Sequence, residues 1–228
     1  MKIIAIIPAR ENSKRIPHKN LLKLNKTPIL KILYNNLKKM NIFSKIIVSS
    51  ESPKIRKLAL NIGYDFAVKR PNSLSKDLTP SHLAINHSIN YLQNKFYFSH
   101  ACCVYPMAIL LKKKDFLSAK KILKKNNEIV FPSLKYSHPI QRAFKIKKDF
   151  SVKYNLSKIK ISKNTQSFSE NYHDAGQFYI GHKKAWKNYE ISRKKSIELS
   201  SLRAVDVDNL EDFEVLKSKF FYQKNKII

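Results

Sequence analysis

Apolar residues fall in short dense runs separated by amphipathic stretches. "KIIAIIP" (2–8) is continuous and β-branched, as in a strand buried on both faces. "PILKILYNNLKKM" (28–40) instead puts Ile29, Ile32, Leu33, Leu37 and Met40 on one helical face, with Pro28 suited to the first turn. The alternation repeats. "KIIVSS" (45–50) reads as a second buried strand, and 52–63 as a helix capped by Ser52, with Pro53 at its first position and Gly63 as terminator. "DFAVKR" is a short strand, 79–96 a helix, 99–105 a strand, 114–127 a helix, and "EIVFPSLKY" a strand. Such alternation predicts an α/β fold, a mostly parallel sheet with helices on both faces.

The rhythm breaks at 136–171, which is polar and aperiodic and reads as an insertion or arm. "HDAGQFYIG" (173–181) and "LRAVDVDN" (202–209) read as further strands, and "LEDFEVLKSKFF" (210–221) as the closing helix. No repeat or linker interrupts the chain, so 1–228 is expected to form one domain carrying an arm. Open α/β sheets bind ligands at the carboxyl ends of their strands. That rule selects the loops 8–20, 70–81 and 105–113 and the aspartate pair at 206–208, which should meet in one crevice.

Composition narrows the picture. An apolar share of 43% supports a packed core. No apolar run reaches the roughly 18 residues of a membrane helix, and "KIIAIIPA" is short for a signal peptide, so a cytoplasmic protein is expected. Cys102 and Cys103 are strand neighbours that point to opposite faces, which argues for small buried residues over a disulfide or metal site. The formal charge of +29 raises nucleic acid, an anionic membrane or an anionic substrate. Of 45 basic residues only seven are Arg, and the lysines are spread over the whole chain, as on solvated faces. Specific phosphate recognition then rests on the few arginines and on loop lysines.

The loop "ARENSKR" after the first strand has the chemistry of a phosphate cradle, with Arg10 and Lys14 for charge and Asn12 tolerating a left-handed backbone. A plain basic surface loop would look the same. Ordered motifs separate the two. "IIPARENSKRIPHKN" resembles the signature IPARGGSKxIPxKN of the CMP-sugar acid synthetases (acylneuraminate cytidylyltransferases). "VSSESPKIRKLALNIGYDF", "KRPNSLSKDLTPS" and "AVDVDNLEDF" resemble that family's later motifs, in order, out to about residue 220. "HPIQRAF" (138–144) and "YHDAGQFYIG" (172–181) are similar to segments of the pseudaminic acid branch.

The resemblance implies a three-layer, Rossmann-like nucleotidyltransferase fold. It implies transfer of CMP from CTP to a nonulosonic acid, most similar to pseudaminic acid, with release of pyrophosphate. N-acetylneuraminic or legionaminic acid is the alternative acceptor. Asp206 and Asp208, two apart on a strand, share a face and make a hard oxygen site, and the family uses the matching pair for Mg²⁺. Two solvated acids capping the last helix are the plain reading, with Asp208 or Asn209 as cap. Arg10 and Lys14 are expected on the β- and γ-phosphates, Lys19 near the α-phosphate, and Ala9, Ser13 and Asn20 along phosphate or ribose. Arg70 and Ser81 match positions lining the cytosine and ribose pocket. Gln141, Arg142, His173, Asp174 and Gln177 offer the polar set for the sugar, Arg142 pairing with its carboxylate.

Departures from the pattern are informative. Glu11 and Asn12 replace two glycines of the signature, and Arg15 a frequent third. "YPMAILLKKKD" (105–115) puts Met107 and Ile109 where the family carries small hydroxyl residues, which fits an altered sugar preference or a degenerate enzyme. The arm at 136–171 resembles a dimerisation segment and implies a homodimer. A basic nucleic-acid-binding protein without catalysis is the rival from another class. It predicts steeply salt-dependent binding and gives no reason for paired aspartates near a cationic loop.

Overall fold

The computed structural model describes residues 1–225 apart from 12, 14, 155–163, 165 and 167. Strand β1 (Ile3–Pro8) is followed by a small hairpin of β2 (Lys23–Leu24) and β3 (Thr27–Pro28), then helix α1 (Ile29–Met40). Next come β4 (Lys45–Ser50), α2 (Pro53–Ile62), β5 (Phe66–Lys69), α3 (Ser81–Leu92), β6 (His100–Val104), α4 (Lys113–Ile122) and β7 (Glu128–Lys135). A second hairpin, β8 (Phe144–Ile146) and β9 (Val152–Tyr154), precedes β10 (Tyr172–Asp174), β11 (Phe178–His182), α5 (Lys183–Lys187), β12 (Arg193–Glu198) and α6 (Leu210–Asn225).

The buried hydrophobic runs become the centre of an eight-stranded sheet. β1 lies between β4 and β6, parallel to both, and β5 extends the sheet beyond β4. β11 runs antiparallel between β6 and β7, β10 also pairs antiparallel with β7, and β12 pairs parallel with it. Every second residue of β1 serves a different layer, as the period of two requires. Ile3, Ala5 and Ile7 pack with α1, α2, α4 and α6, whereas Ile4 and Ile6 pack with α3 and α5. The same alternation sends Cys102 to one core and Cys103 to the other, both as free thiols. Ser52 caps α2 by accepting from the Ile55 N–H, and Gly63 closes it in the left-handed region at φ 116°. Among the described residues no helix is long and apolar enough to cross a membrane.

Two expected strands differ. The stretch 173–181 is two strands, β10 and β11, broken at Gly176 with φ 60°. The stretch 202–209 is not a strand: a 3-10 turn at Ser201–Arg203 leads into an extended segment with no ladder partner. Its alternation nevertheless survives, with Val205 and Val207 buried and Asp206 and Asp208 outward, because the apolar residues pack on the core without a ladder. The pattern of the chain does not announce β12, since "RKKSIE" carries too little apolar signal; it forms as an edge strand on β7.

Candidate active site

The loops after β1 and β5, the start of α3, the turn after β6, the β10–β11 kink and the 205–208 segment surround one cleft of about 440 Å³. Arg10, Ser13, Lys19, Asn20, Arg70, Ser81, Asp174, Asp206 and Asp208 all line it, and Ala9 is fully buried beside it in the core. The first loop and the distant acidic pair therefore face the same space. Lys14 lies outside the described residues. Gln141, Arg142, His173 and Gln177 do not line the cleft.

The polar contacts explain this placement. The Asn20 amide donates to the Arg10 carbonyl at 2.7 Å, so Asn20, nearly buried, braces the loop. Arg10 pairs with Asp77 at 2.7 Å and thereby ties the first loop to the loop after β5. Lys19 donates to the Val207 carbonyl, between the two aspartates. Burial lowers its ammonium below the ordinary lysine value, with Asp208 and Asp206 opposing that shift. Arg70 is buried; it donates to Glu51 at 2.9 Å, while its Nε has no hydrogen-bond partner. Ser81 accepts from the Tyr105 hydroxyl at 3.0 Å.

Glu11, where the resembling signature has glycine, turns away from the cleft. Its backbone N–H donates to Glu51 at 2.8 Å, and its carboxylate accepts from Ser52 at the start of α2. Arg15, at another such position, turns inward and pairs with Asp208 at 2.5 Å. Arg15 and Asp77 also line the cleft, although the motifs in which they stand suggest no contact for either. The available signal is opposite charge within loops already assigned to the crevice. Of the bulky 105–111 stretch only Met107 among the substituted residues reaches the cleft. Ile109, Leu110 and Leu111 are core, and the Asn36 amide donates to the Ile109 and Leu111 carbonyls at 3.1 and 3.0 Å.

The acidic segment is held from several sides. Gln177, buried, donates to the Val205 carbonyl at 3.1 Å and so braces this segment, while its Oε1 has no hydrogen-bond partner. Asp212 accepts from the Asp208 and Asn209 N–H groups at 2.8 and 3.0 Å, and Asn209 accepts from the Asp212 N–H at 2.9 Å. Asn209 is thus the cap of α6. That leaves the Asp206 and Asp208 carboxylates to the cleft. Burial and then the neighbouring Asp208 charge push the Asp206 carboxyl above its usual range, against Lys19 and Arg15. Among the described residues no cluster of three or more His, Cys, Asp or Glu stands in metal-binding geometry.

Gly176 brings the kink against this pair. A Cβ there would lie 3.1 Å from Asp206 Cγ and Oδ2, and the backbone is left-handed. Gly176→Ala is expected to lose about 1–2 kcal/mol of stability, from left-handed strain, and to displace Asp206. Thermal denaturation together with turnover checks it: a variant with unchanged melting temperature and unchanged rate would contradict this close approach.

Beside the cleft lies a shallower cavity of about 470 Å³ lined by Phe131, Ser133, Tyr172, His173, Asp174, Ser196 and Glu198. His173 sits here, its ring 4.9 Å from Tyr136 and its Nδ1 2.9 Å from the Asp174 carbonyl. Gln141 and Arg142 belong to the 3-10 turn Ile140–Arg142 and line neither cavity.

A family model described as cytidylyltransferase matches residues 4–227. The chain is 33% identical over 231 residues to the pseudaminic acid cytidylyltransferase of Campylobacter jejuni strain 81-176, a match covering 99% of this chain and 98% of that one. It is 27% identical to the N-acylneuraminate cytidylyltransferase of Escherichia coli O18:K1:H7 over 94% of this chain and 51% of that one. A solved CMP:2-keto-3-deoxy-manno-octonic acid synthetase complexed with CTP shares the fold, with TM-score 0.70 and 14% identity, over 98% of this chain and 100% of that one.

Proposed function

This chain belongs to the cytidylyltransferase family and is a nucleotidyltransferase, and we propose that it transfers CMP from CTP to pseudaminic acid, releasing pyrophosphate. One observation carries this reading. A cationic loop after the first strand and a carboxylate pair some 200 residues away along the chain share one cleft of nucleotide size. Full-length identity to a relative of that name favours pseudaminic acid over N-acetylneuraminic or legionaminic acid.

In this reading the sugar's anomeric hydroxyl attacks the α-phosphorus of CTP, and the bond from that phosphorus to the bridging oxygen of pyrophosphate breaks. The protein's part is positioning and electrostatics. Arg10 and Ser13, with Lys14, hold the outer phosphates, and Lys19 reaches the α-phosphate. Arg10 leaves Asp77 to do so, an exchange of one anion for another. Arg70, with an unpartnered Nε, and Ser81 serve the cytidine end. Asp206 and Asp208 suit Mg²⁺: that ion takes one or two carboxylates plus phosphate oxygens, and a carboxyl pushed upward by burial and then by its neighbour's charge would gain from a bound cation. Bound there, Mg²⁺ would neutralise charge on the phosphates and acidify a hydroxyl.

The homodimer expectation is part of the proposal. Phe144, Ile146, Val152 and Tyr154 of the β8–β9 hairpin and Phe150 at its tip are exposed apolar residues standing off the main sheet, as a self-association surface requires. CTP is a cytoplasmic nucleotide, so the reaction belongs in the cytoplasm, without nucleic acid or membrane as partner. The test is pyrophosphate release from CTP and Mg²⁺ with a panel of pseudaminic, legionaminic and N-acetylneuraminic acids. Release is expected to be fastest with pseudaminic acid. No release with any of the three would reject the reading.

A further inference from the structure

Among the residues lining the cleft and the cavity beside it, Asp174 alone lines both. It is the last residue of β10, immediately before the kink. Both its oxygens are engaged: Oδ1 accepts from the Gly176 N–H at 2.9 Å, and Oδ2 accepts from the Tyr179 hydroxyl. Tyr179 lies across the kink, on β11, so the chain doubles back to make this contact. Its ring is fixed between Phe131, stacked at 5.6 Å, and Tyr105, edge-on at 6.0 Å. A ring so gripped fixes the phenol oxygen, and the Asp174 acceptor selects the direction of its O–H. Burial, and then the Asp174 acceptor, hold it protonated, so it donates at every working pH.

The surroundings say what Asp174 would meet. The second cavity carries two carboxylates, Asp174 and Glu198, two serine hydroxyls and an aromatic face, with neither Lys nor Arg among its lining residues. Such a lining repels phosphate and suits a ligand rich in hydroxyl and N–H donors. The hydroxyl and acylamino groups of a nonulosonic acid make that ligand, while its carboxylate, which this lining repels as it repels phosphate, turns to the cationic cleft. The cationic cleft on the other side of Asp174 suits the triphosphate. Asp174 therefore stands where acceptor sugar and nucleotide meet.

We propose that Tyr179 is a positioning residue for the acceptor sugar: its hydroxyl locks the Asp174 carboxylate, whose remaining lone pairs accept from sugar O–H or N–H groups at the junction of the two cavities. The inference rests on the cytidylyltransferase reading above and adds a cleft-lining residue whose hydroxyl acts through the neighbouring carboxylate. Tyr179→Phe keeps the ring between Phe131 and Tyr105 and removes only the hydroxyl. Freed of its donor, Asp174 samples several rotamers, and the sugar must select one.

The experiment reads the two substrates separately. Sugar affinity is measured by calorimetry in the presence of CMP, which needs no turnover, and KM is measured for each substrate in the pyrophosphate assay. Tyr179→Phe is expected to weaken sugar binding about tenfold, the worth of a hydrogen bond to a charged group, and to leave the KM for CTP within about twofold. Its melting temperature stays close to that of the parent. In an Asp174→Asn background the same substitution has little further effect, because it acts through that carboxylate. Unchanged sugar affinity, an equal loss for CTP, or additive effects in the double variant would each overturn the proposal. If the parent protein binds the sugar but releases no pyrophosphate, the reaction assignment fails, and the Tyr179→Phe and double-variant affinities by calorimetry alone decide this inference. If it binds none of the three nonulosonic acids, both fail.

Discussion

Asp206→Asn is expected to lower turnover by about 10²–10³-fold, comparable to removing one preorganised electrostatic contact from a transition state, while raising the melting temperature. The two effects have one cause. Asp206 lines the cleft beside Asp208, and desolvation there, then the Asp208 charge, raise its carboxyl above the ordinary range. Its ionised form is thus disfavoured in the folded protein, and at neutral pH the charge costs stability. The sign follows from linkage: folding takes up protons at this site, so stability falls as pH rises from the unfolded carboxyl value through the raised folded one. The amide removes the charge and keeps the shape. Among the described residues no hydrogen bond to its side chain is lost. The stability advantage of the variant vanishes at acid pH, where both carboxyls are protonated. Melting temperature and pyrophosphate release, measured on both proteins at neutral and acid pH, check the pair. A variant that loses both activity and stability would show that Asp206 is a structural acid. A functional acid gives the opposite signature, since sites of chemistry hold charge that the fold alone would reject.

The strands and helices of the sheet are legible in the sequence because burial imposes period on them. "KIIAIIP" is apolar at every position since β1 is covered on both faces, and the helices show one apolar stripe each. The acidic pair is legible for a reason other than strand pairing. No strand exists at 202–209, but two valines anchored in the core enforce the same alternation. The kink at Gly176 is hidden inside a run that reads as a single strand. Only its φ of 60° and the approach of Asp206 reveal why the glycine stands there. Gln177 has a structural contact beyond the ligand role that its matched motif suggests. Its amide NH2 donates to the Val205 carbonyl, a partner 28 residues ahead that no local pattern announces. Arg15 shows the reverse: a departure from the resembling signature, it supplies Asp208 with a cation from across the cleft. Local period foretells elements; contacts between loops follow from how those elements are stacked.

The same logic identifies the most fragile point of the scaffold. Asp115, in the first turn of α4, is buried and pairs with Arg203, which directly precedes the acidic segment. Its other oxygen accepts from the Lys112 N–H at 2.8 Å, so one carboxylate both caps a helix and anchors the approach to Asp206. Asp115→Ala leaves the Arg203 guanidinium with an uncompensated, largely buried charge and removes the acceptor of the Lys112 N–H just before α4. Breaking a buried pair from one side costs about 3–5 kcal/mol. For a chain of this length that is a fall in melting temperature on the order of 10 °C. Residual turnover should drop as well, because Arg203 then pulls toward solvent and takes the acidic segment with it. A double variant separates charge from packing. Asp115→Leu with Arg203→Met removes both ions and keeps apolar volume, and should recover most of the lost stability, since a buried ion pair is seldom worth more than apolar groups of its shape. It should not recover full turnover, because a flexible thioether side chain cannot hold the segment in one place as the ion pair does. If the single variant melts like the parent, the pair contributes nothing to the scaffold and the placement of Asp206 must come from Gln177, Lys19, Asp212 and the two buried valines.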